Sequence, residues 1–133
     1  MTKNKYLGVW FFGLSKSGKT FSSRYLKKKI KNNFLVDGDI IRKKISFDLG
    51  YKISDRKIQL ERLLGISEIS IQNNCFPIVS SVYMTKIIYQ MRKKSIFWLK
   101  LRKMLSWMKK LKIQNHHFLK INRFLLLQIQ KVF

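Results

Sequence analysis

The feature that most constrains this chain is the run Gly13-Leu14-Ser15-Lys16-Ser17-Gly18-Lys19-Thr20, placed directly after the apolar stretch KYLGVWFF at 5–12. Two glycines separated by four residues, then a lysine and a hydroxyl, form the Walker A spacing. The glycines let the backbone turn so that several N–H groups point at one phosphate, and the start of a helix adds partial positive charge. Lys19 is then expected to reach the β- and γ-phosphates of a nucleotide, and Thr20 to place its hydroxyl on Mg²⁺. Lys16, inside the loop, is expected to point to solvent. An unbroken apolar run before the loop fits a central parallel strand covered on both faces.

Downstream, GKTFSSRYLKKKIK at 18–31 reads as a helix with Phe21, Tyr25, Leu26 and Ile30 inward and lysines outward. FLV at 34–36 is a short second strand ending in Asp37-Gly38-Asp39, followed by helical IIRKKI and the loop FDLGY at 47–51. Ser54 or Asp55 is expected to cap a long helix, SDRKIQLERLLGISEISIQNN. Ile58, Leu63, Ile66 and Ile69, with Leu60 and Leu64, form its apolar side. CFPIVSSV at 75–82 is the third strand. This order predicts an α/β fold, a doubly wound parallel sheet with flanking helices. Right-handed crossovers bring the loops after all three strands to one sheet edge.

Charge divides the chain. There are 29 basic and 6 acidic residues, for a formal net charge of +23. All the acids lie between Asp37 and Glu68, so residues 86–133 carry basic groups and no acid. Such a tail suits a nucleic acid or an anionic membrane surface, which makes a basic binding protein the reading from another class. The last glycine is Gly65 and the only proline is Pro77. The expected division is therefore 1–85, an N-terminal part of a nucleotide-binding domain, and 86–133, a basic tail without turn punctuation. Within the tail, 96–112 is expected to form a basic amphipathic helix. Trp98 and Trp107 read as packing or exposed tail residues, and the adjacent His116 and His117 cannot face one ligand from a helix. The tail's Lys, Ile, Phe, Leu and Asn are encoded by A/T-rich codons, as an out-of-frame continuation would give. The sheet is then expected to stop after three strands, leaving a domain incomplete at its C-terminus and an inactive, truncated enzyme as one outcome.

One cysteine, Cys75, rules out an internal disulfide and any cysteine metal cluster. In the run CFPIV it reads as a buried structural thiol. The lysines and apolar run at the start lead into the phosphate loop with no small-residue cleavage site, so they read as a strand and not a leader. No stretch is long and apolar enough to cross a bilayer. A cytoplasmic location is expected.

Two carboxylates at a strand's C-terminal edge, Asp37 and Asp39, suit contact with Mg²⁺ and its waters or general-base work on an attacking hydroxyl. Taken alone, DGD is equally a turn. Arg42, Arg56 and Arg62 are each able to meet an anionic substrate.

The ordered series GLSKSGKT, then LVDGDIIRKKISFDLGYKISDRKIQLERL, resembles the adenylylsulfate (APS) kinase family over residues 7 to about 82. The family pattern runs GLSGSGKT, LDGDxIR, DLGF and DRxxNIRR. The resemblance implies a P-loop NTPase-type domain, a possible homodimer, and transfer of the ATP γ-phosphoryl to the 3′-hydroxyl of adenylylsulfate with Mg²⁺. It makes Asp39 and Lys19 the catalytic residues, gives residues 13–20 to the phosphates, and puts the metal by Thr20 and Asp39. It also gives Asp37, Arg42, Tyr51, Arg56 and Gln59 to a small anionic nucleotide acceptor, with Tyr51 replacing a phenylalanine that stacks on the base. Gln59 stands where the family has Asn, Glu61 where it has the first Arg of NIRR, and SSVYMTK where it has an Ile-Ser-Pro-aromatic stretch. These departures fall in the acceptor pocket, so cytidine diphosphoramidate, the acceptor of a relative type in capsule phosphoramidate synthesis, is the alternative.

Overall fold

The computed structural model describes residues 6–91 and 96–100. The elements run β1 (Gly8–Phe12), α1 (Lys19–Lys27), β2 (Asn33–Asp37), α2 (Gly38–Lys44), α3 (Ile53–Gln72), β3 (Phe76–Ser81), α4 (Lys86–Met91) and β4 (Ile96–Lys100). The strands form one sheet in the order β2-β3-β1-β4, and every pair is parallel. No described helix is long and apolar enough to cross a membrane.

Alternation along the strands builds a core on each face, because successive side chains point to opposite sides. Val9, Phe11 and Ile78 face Leu26 of α1. Trp10, Val36, Val79 and Ile96 face Ile41, Leu60, Leu63, Leu64 and Ile88 of α2, α3 and α4. Fully burying one such side chain contributes about 1.5–3 kcal/mol.

The register aligns the strand ends. Phe12 lies opposite Ser81, and Asp37 opposite Ser80. The segments leaving β1, β2 and β3 therefore emerge at one edge. β1 has β3 on one side and β4 on the other, so the loop after it sits where strand order reverses, the usual ligand crevice of such sheets.

Several expectations are corrected. The sheet does not stop after three strands: α4 and β4 continue it, and β4 pairs along β1 from Gly8–Ile96 to Phe12–Lys100. Residues 96–100 are thus a strand, not the start of a helix. A short apolar run carries no decisive periodicity, and pairing with β1 satisfies backbone groups that would otherwise be left at its edge. The rest of the expected helix, 101–112, with Trp107, His116 and His117, lies outside the described residues.

On α3 the buried stripe is Gln59, Leu60, Leu63, Leu64, Ser67 and Ser70, while Ile58 and Ile69 are exposed. Residues 60, 63, 64 and 67 follow the i, i+3, i+4, i+7 spacing of one face, and 58 and 69 fall off it. Ser67 and Ser70 satisfy their hydroxyls on Leu63 O and Ile66 O, at 2.7 and 2.9 Å. The helix begins two to three residues before its expected caps. Lys52 is the N-cap and makes no side-chain cap. The Asp55 carboxylate instead accepts from Gly50 N at 3.0 Å. Phe21 is exposed, and Cys75 is half-buried where full burial was expected.

Candidate functional site

The turn from β1 into α1 takes the backbone through positive φ at Gly13 (151°), Lys16 (61°) and Gly18 (94°). Gly18 is the N-cap of α1, a position where a left-handed residue costs glycine nothing. Ser17 N donates to Leu14 O at 3.2 Å, closing the loop on itself. Ser17 is fully buried beneath it, and Lys16 is exposed. Lys19 folds back across the turn: its Nζ donates to Gly13 O at 2.8 Å and Leu14 O at 2.7 Å. Burial holds the Lys19 ammonium below its ordinary value, and the carboxylates of Asp39 and then Asp37 pull it back up. The cation of the loop and the acids of the next strand therefore share one electrostatic environment.

The second wall is the turn after β2. Asp37 is the N-cap of α2 and its Oδ1 accepts from Asp39 N at 2.9 Å. That bond commits Asp37 to the turn and leaves Asp39, exposed at the first turn of α2, as the carboxylate facing outward. Gly38 between them is required by close approach, because an added Cβ would stand 2.7 Å from Ser80 O on β3.

A third wall is a frame of two arginines about one aromatic. Arg42 Nη1 donates to Gly50 O at 2.6 Å and its guanidinium lies 4.9 Å from the centre of the Tyr51 ring. Arg56 Nε donates to Tyr51 O at 2.9 Å, with its guanidinium 6.0 Å from the same ring. Cations in this position are attracted to the ring face. Each arginine keeps N–H groups beyond those bonds, so the frame orients the guanidiniums without exhausting them. Gln59 reaches over from α3 and donates Nε2 to Gly38 O at 3.1 Å.

These walls enclose a cavity of about 250 Å³. Of the residues singled out from sequence, Ser15, Lys19, Thr20, Asp37, Asp39, Arg42, Tyr51, Arg56 and Gln59 line it. Gly13, Leu14, Lys16, Ser17 and Gly18 shape the loop behind it. Arg62 is corrected: it pairs bidentately with Asp48, at 2.6 and 2.7 Å, and so ties the FDLGY loop to α3. The SSVY stretch that departs from the family pattern, Ser80 to Tyr83, lines the cavity at the end of β3, whereas Leu60 and Leu63, read from sequence only as the apolar side of α3, are lining residues that sequence reasoning missed. The parallel topology explains the position of the SSVY stretch, since it brings every strand's C-terminal end to this edge. Ser81 Oγ accepts from the buried Trp10 indole at 2.9 Å and donates to Tyr83 O at 2.9 Å, fixing that wall to β1.

The donor set suits Mg²⁺ carried in with phosphates. Thr20 and Asp39 offer hard oxygens on the same cavity, and no cluster of three His, Cys, Asp or Glu occurs among the described residues. Mg²⁺ is commonly held by one or two protein oxygens with substrate phosphates supplying others.

A family model described as adenylylsulphate kinase matches residues 5–97. The adenylyl-sulfate kinase of Halothermothrix orenii is 31% identical over 86 residues, covering 62% of this chain and 46% of that one. That of Buchnera aphidicola subsp. Schizaphis graminum is 35% identical over 83 residues, covering 59% and 39%. The chain thus spans less than half the length of these curated relatives. Among solved structures, the Mycobacterium tuberculosis APS kinase in complex with AMPPNP and APS aligns with a TM-score of 0.63 at 23% identity. That alignment covers 75% of this chain and 64% of the other, and it is a likeness of fold.

Proposed function

The chain belongs to the adenylylsulphate kinase family, and on that premise we propose that it is an ATP-dependent kinase whose acceptor is a small anionic nucleotide, adenylylsulfate first. The observation that carries this reading is the meeting, in one cavity, of the loop lysine, the Asp37–Asp39 turn and the Arg42–Tyr51–Arg56 frame. Phosphoryl transfer needs positioning and charge neutralisation more than covalent help from the protein. Residues 13–20 cradle the terminal phosphates through backbone N–H groups. Lys19 exchanges its bonds to Gly13 O and Leu14 O for phosphate oxygens. Asp39 receives the proton of the acceptor hydroxyl as that oxygen bonds to the γ-phosphorus and the bond to ADP breaks. Arg42 and Arg56 hold the acceptor's anionic group. Thr20 and Asp39 would hold Mg²⁺, which supplies charge neutralisation when bound.

The acceptor side is where this chain departs from the family pattern, at Gln59 and in the SSVY stretch that lines the cavity. Cytidine diphosphoramidate is therefore tested beside adenylylsulfate. A coupled assay with ATP and both acceptors should show ADP formation that depends on one of them. Lys19→Ala should lower that rate by at least about a hundredfold, the scale of losing one transition-state charge contact, with the circular dichroism spectrum retained. Undiminished turnover in that variant removes the mechanism.

A further inference from the structure

The two faces of the sheet are electrically unlike. Among the described helices, α1 alone packs on the Val9–Phe11–Ile78 face, and α2, α3 and α4 pack on the other. Residues 37–68, which end β2 and build α2, α3 and the loop between them, mix basic residues with all the acids of the chain. Residues 13–32, which build the phosphate loop, α1 and the turn into β2, hold as many basic residues and no acid. Lys19 is turned into the nucleotide site. The others, Lys16, Arg24, Lys27, Lys28, Lys29 and Lys31, are exposed. None of Arg24, Lys27, Lys28 and Lys31 has an acidic partner among the described residues.

The helix itself does not account for this crowding. A C-terminus favours cations, but that influence fades within the last turn. α1 ends at Lys27, and Lys28, Lys29 and Lys31 follow it. Arg24 and Lys28 stand one turn apart, a spacing at which like charges repel. Repulsion that the chain leaves uncompensated is relieved by an anion from outside. Aromatic surface lies among the same cations. Phe21, 39% exposed, and Tyr25 share the i, i+4 spacing on α1, and the Lys29 ammonium lies 5.6 Å from the centre of the Tyr25 ring. A membrane contact needs exposed apolar side chains beside the cations. Ile30, the apolar residue among these lysines, packs against the core. Rings on which bases stack, set among cations that meet phosphates, are the composition of a surface for single-stranded nucleic acid.

We propose that the outer face of α1, with the turn that follows it, binds single-stranded nucleic acid without sequence preference: Arg24, Lys27, Lys28 and Lys31 meet phosphates, and Phe21 stacks on a base. α1 runs from the phosphate loop to the sheet edge where β2 begins. Lys27 to Lys31 therefore lie at the end away from the nucleotide cavity, and the surface is independent of the kinase reading.

The test is fluorescence anisotropy of the full chain with a labelled oligouridylate of about sixteen nucleotides, at salt concentrations from about 50 to 200 mM. Log affinity should fall with log salt. Lys27→Ala, Lys28→Ala and Lys31→Ala together should flatten that slope by about 2, three phosphate contacts at about 0.7 each. Removing the same charge from the other face, through Lys43→Ala, Lys44→Ala and Lys57→Ala, should change it by less than about 0.7. Phe21→Ala should weaken binding at least about fivefold at unchanged slope. The basic tail is present in every variant, so binding through residues 101–133 would leave all the slopes alike and overturn the proposal. Equal flattening in both triple variants, or a Phe21→Ala affinity equal to wild type, also overturns it. Phosphatidylserine vesicles carry the alternative: if the lysines after α1 matter for vesicle binding and not for RNA, the surface is a membrane contact and the proposal fails. Circular dichroism checks folding. Should the first triple variant unfold, Lys28→Gln with Lys31→Gln is read in the same way, with an expected flattening of about 1.4.

Discussion

The two sides of the cavity are built by different means. On the proposed reading the phosphate side is one contiguous run in which the backbone would do the binding: the turn through Gly13, Lys16 and Gly18 sets where the N–H groups point. The proposed acceptor side is assembled from α2, the α2–α3 loop, α3 and the end of β3, where side chains would do the binding. A site made by backbone survives substitution at exposed positions as long as φ is allowed. A site made by side chains changes its ligand through single replacements, and the departures from the family pattern at Gln59 and in SSVYMTK lie on that side.

The largest effect that would sharpen this contrast is expected at Gly38. Its missing Cβ would fall 2.7 Å from a β3 carbonyl and 3.6 Å from Leu63 Cδ1. Gly38→Ala must move the Asp37–Asp39 turn or the strand, at a cost of about 1–3 kcal/mol. Chemical denaturation should show that loss, and phosphotransfer should fall while affinity for an ATP analogue is largely kept. Equal loss of both would mean that the two sides are not separable.

A smaller effect is expected in the phosphate loop. Lys16 occupies φ 61° where the family pattern GLSGSGKT has glycine. Lys16→Gly should leave stability within about 0.5 kcal/mol, because relief of the left-handed conformation is offset by the added freedom of the unfolded chain. ATP-analogue affinity should be retained. Lys16→Val should destabilise, since a β-branched side chain is an outlier at that φ. If Val is tolerated and Gly is not, the loop depends on the lysine side chain and the contrast fails.

The smallest effect concerns the exposed pair that ties the FDLGY loop to α3. Hydrogen bonds from Arg62 hold the Asp48 carboxyl below its ordinary value. A carboxylate depressed in the folded state contributes stability above its unfolded pKa and loses it as pH falls through the folded value. The stability difference between wild type and Asp48→Asn should therefore be largest near neutral pH and shrink on acidification below the ordinary carboxylate range. A difference that grows on acidification would contradict the pairing.

The same contrast explains how much was legible in the sequence. Residues 13–20 and Asp37-Gly38-Asp39 could be read because each is a local pattern following an apolar strand. Parallel topology then placed them at one edge, and the register of Phe12 with Ser81 and Asp37 with Ser80 shows that edge directly. The Ser80–Tyr83 wall could be marked only against the family pattern, as a departure from its Ile-Ser-Pro-aromatic stretch, and its place in the cavity depends on which strand lies beside β1. Arg62 could not be told from Arg42 and Arg56 by spacing, since its partner Asp48 lies across the loop. The strand at Ile96–Lys100 was hidden because a short apolar run between lysines fits either period, and only the unpaired edge of β1 decides it.

The central claim is that backbone amides of residues 13–20 wrap the terminal phosphates of a nucleotide with Asp39 alongside. Calorimetric titration of the folded full chain with ATP, with and without Mg²⁺, tests it most directly. The account predicts saturable one-to-one binding that needs the metal and is competed by a non-hydrolysable ATP analogue. Folded protein with no magnesium-dependent affinity for ATP would contradict it.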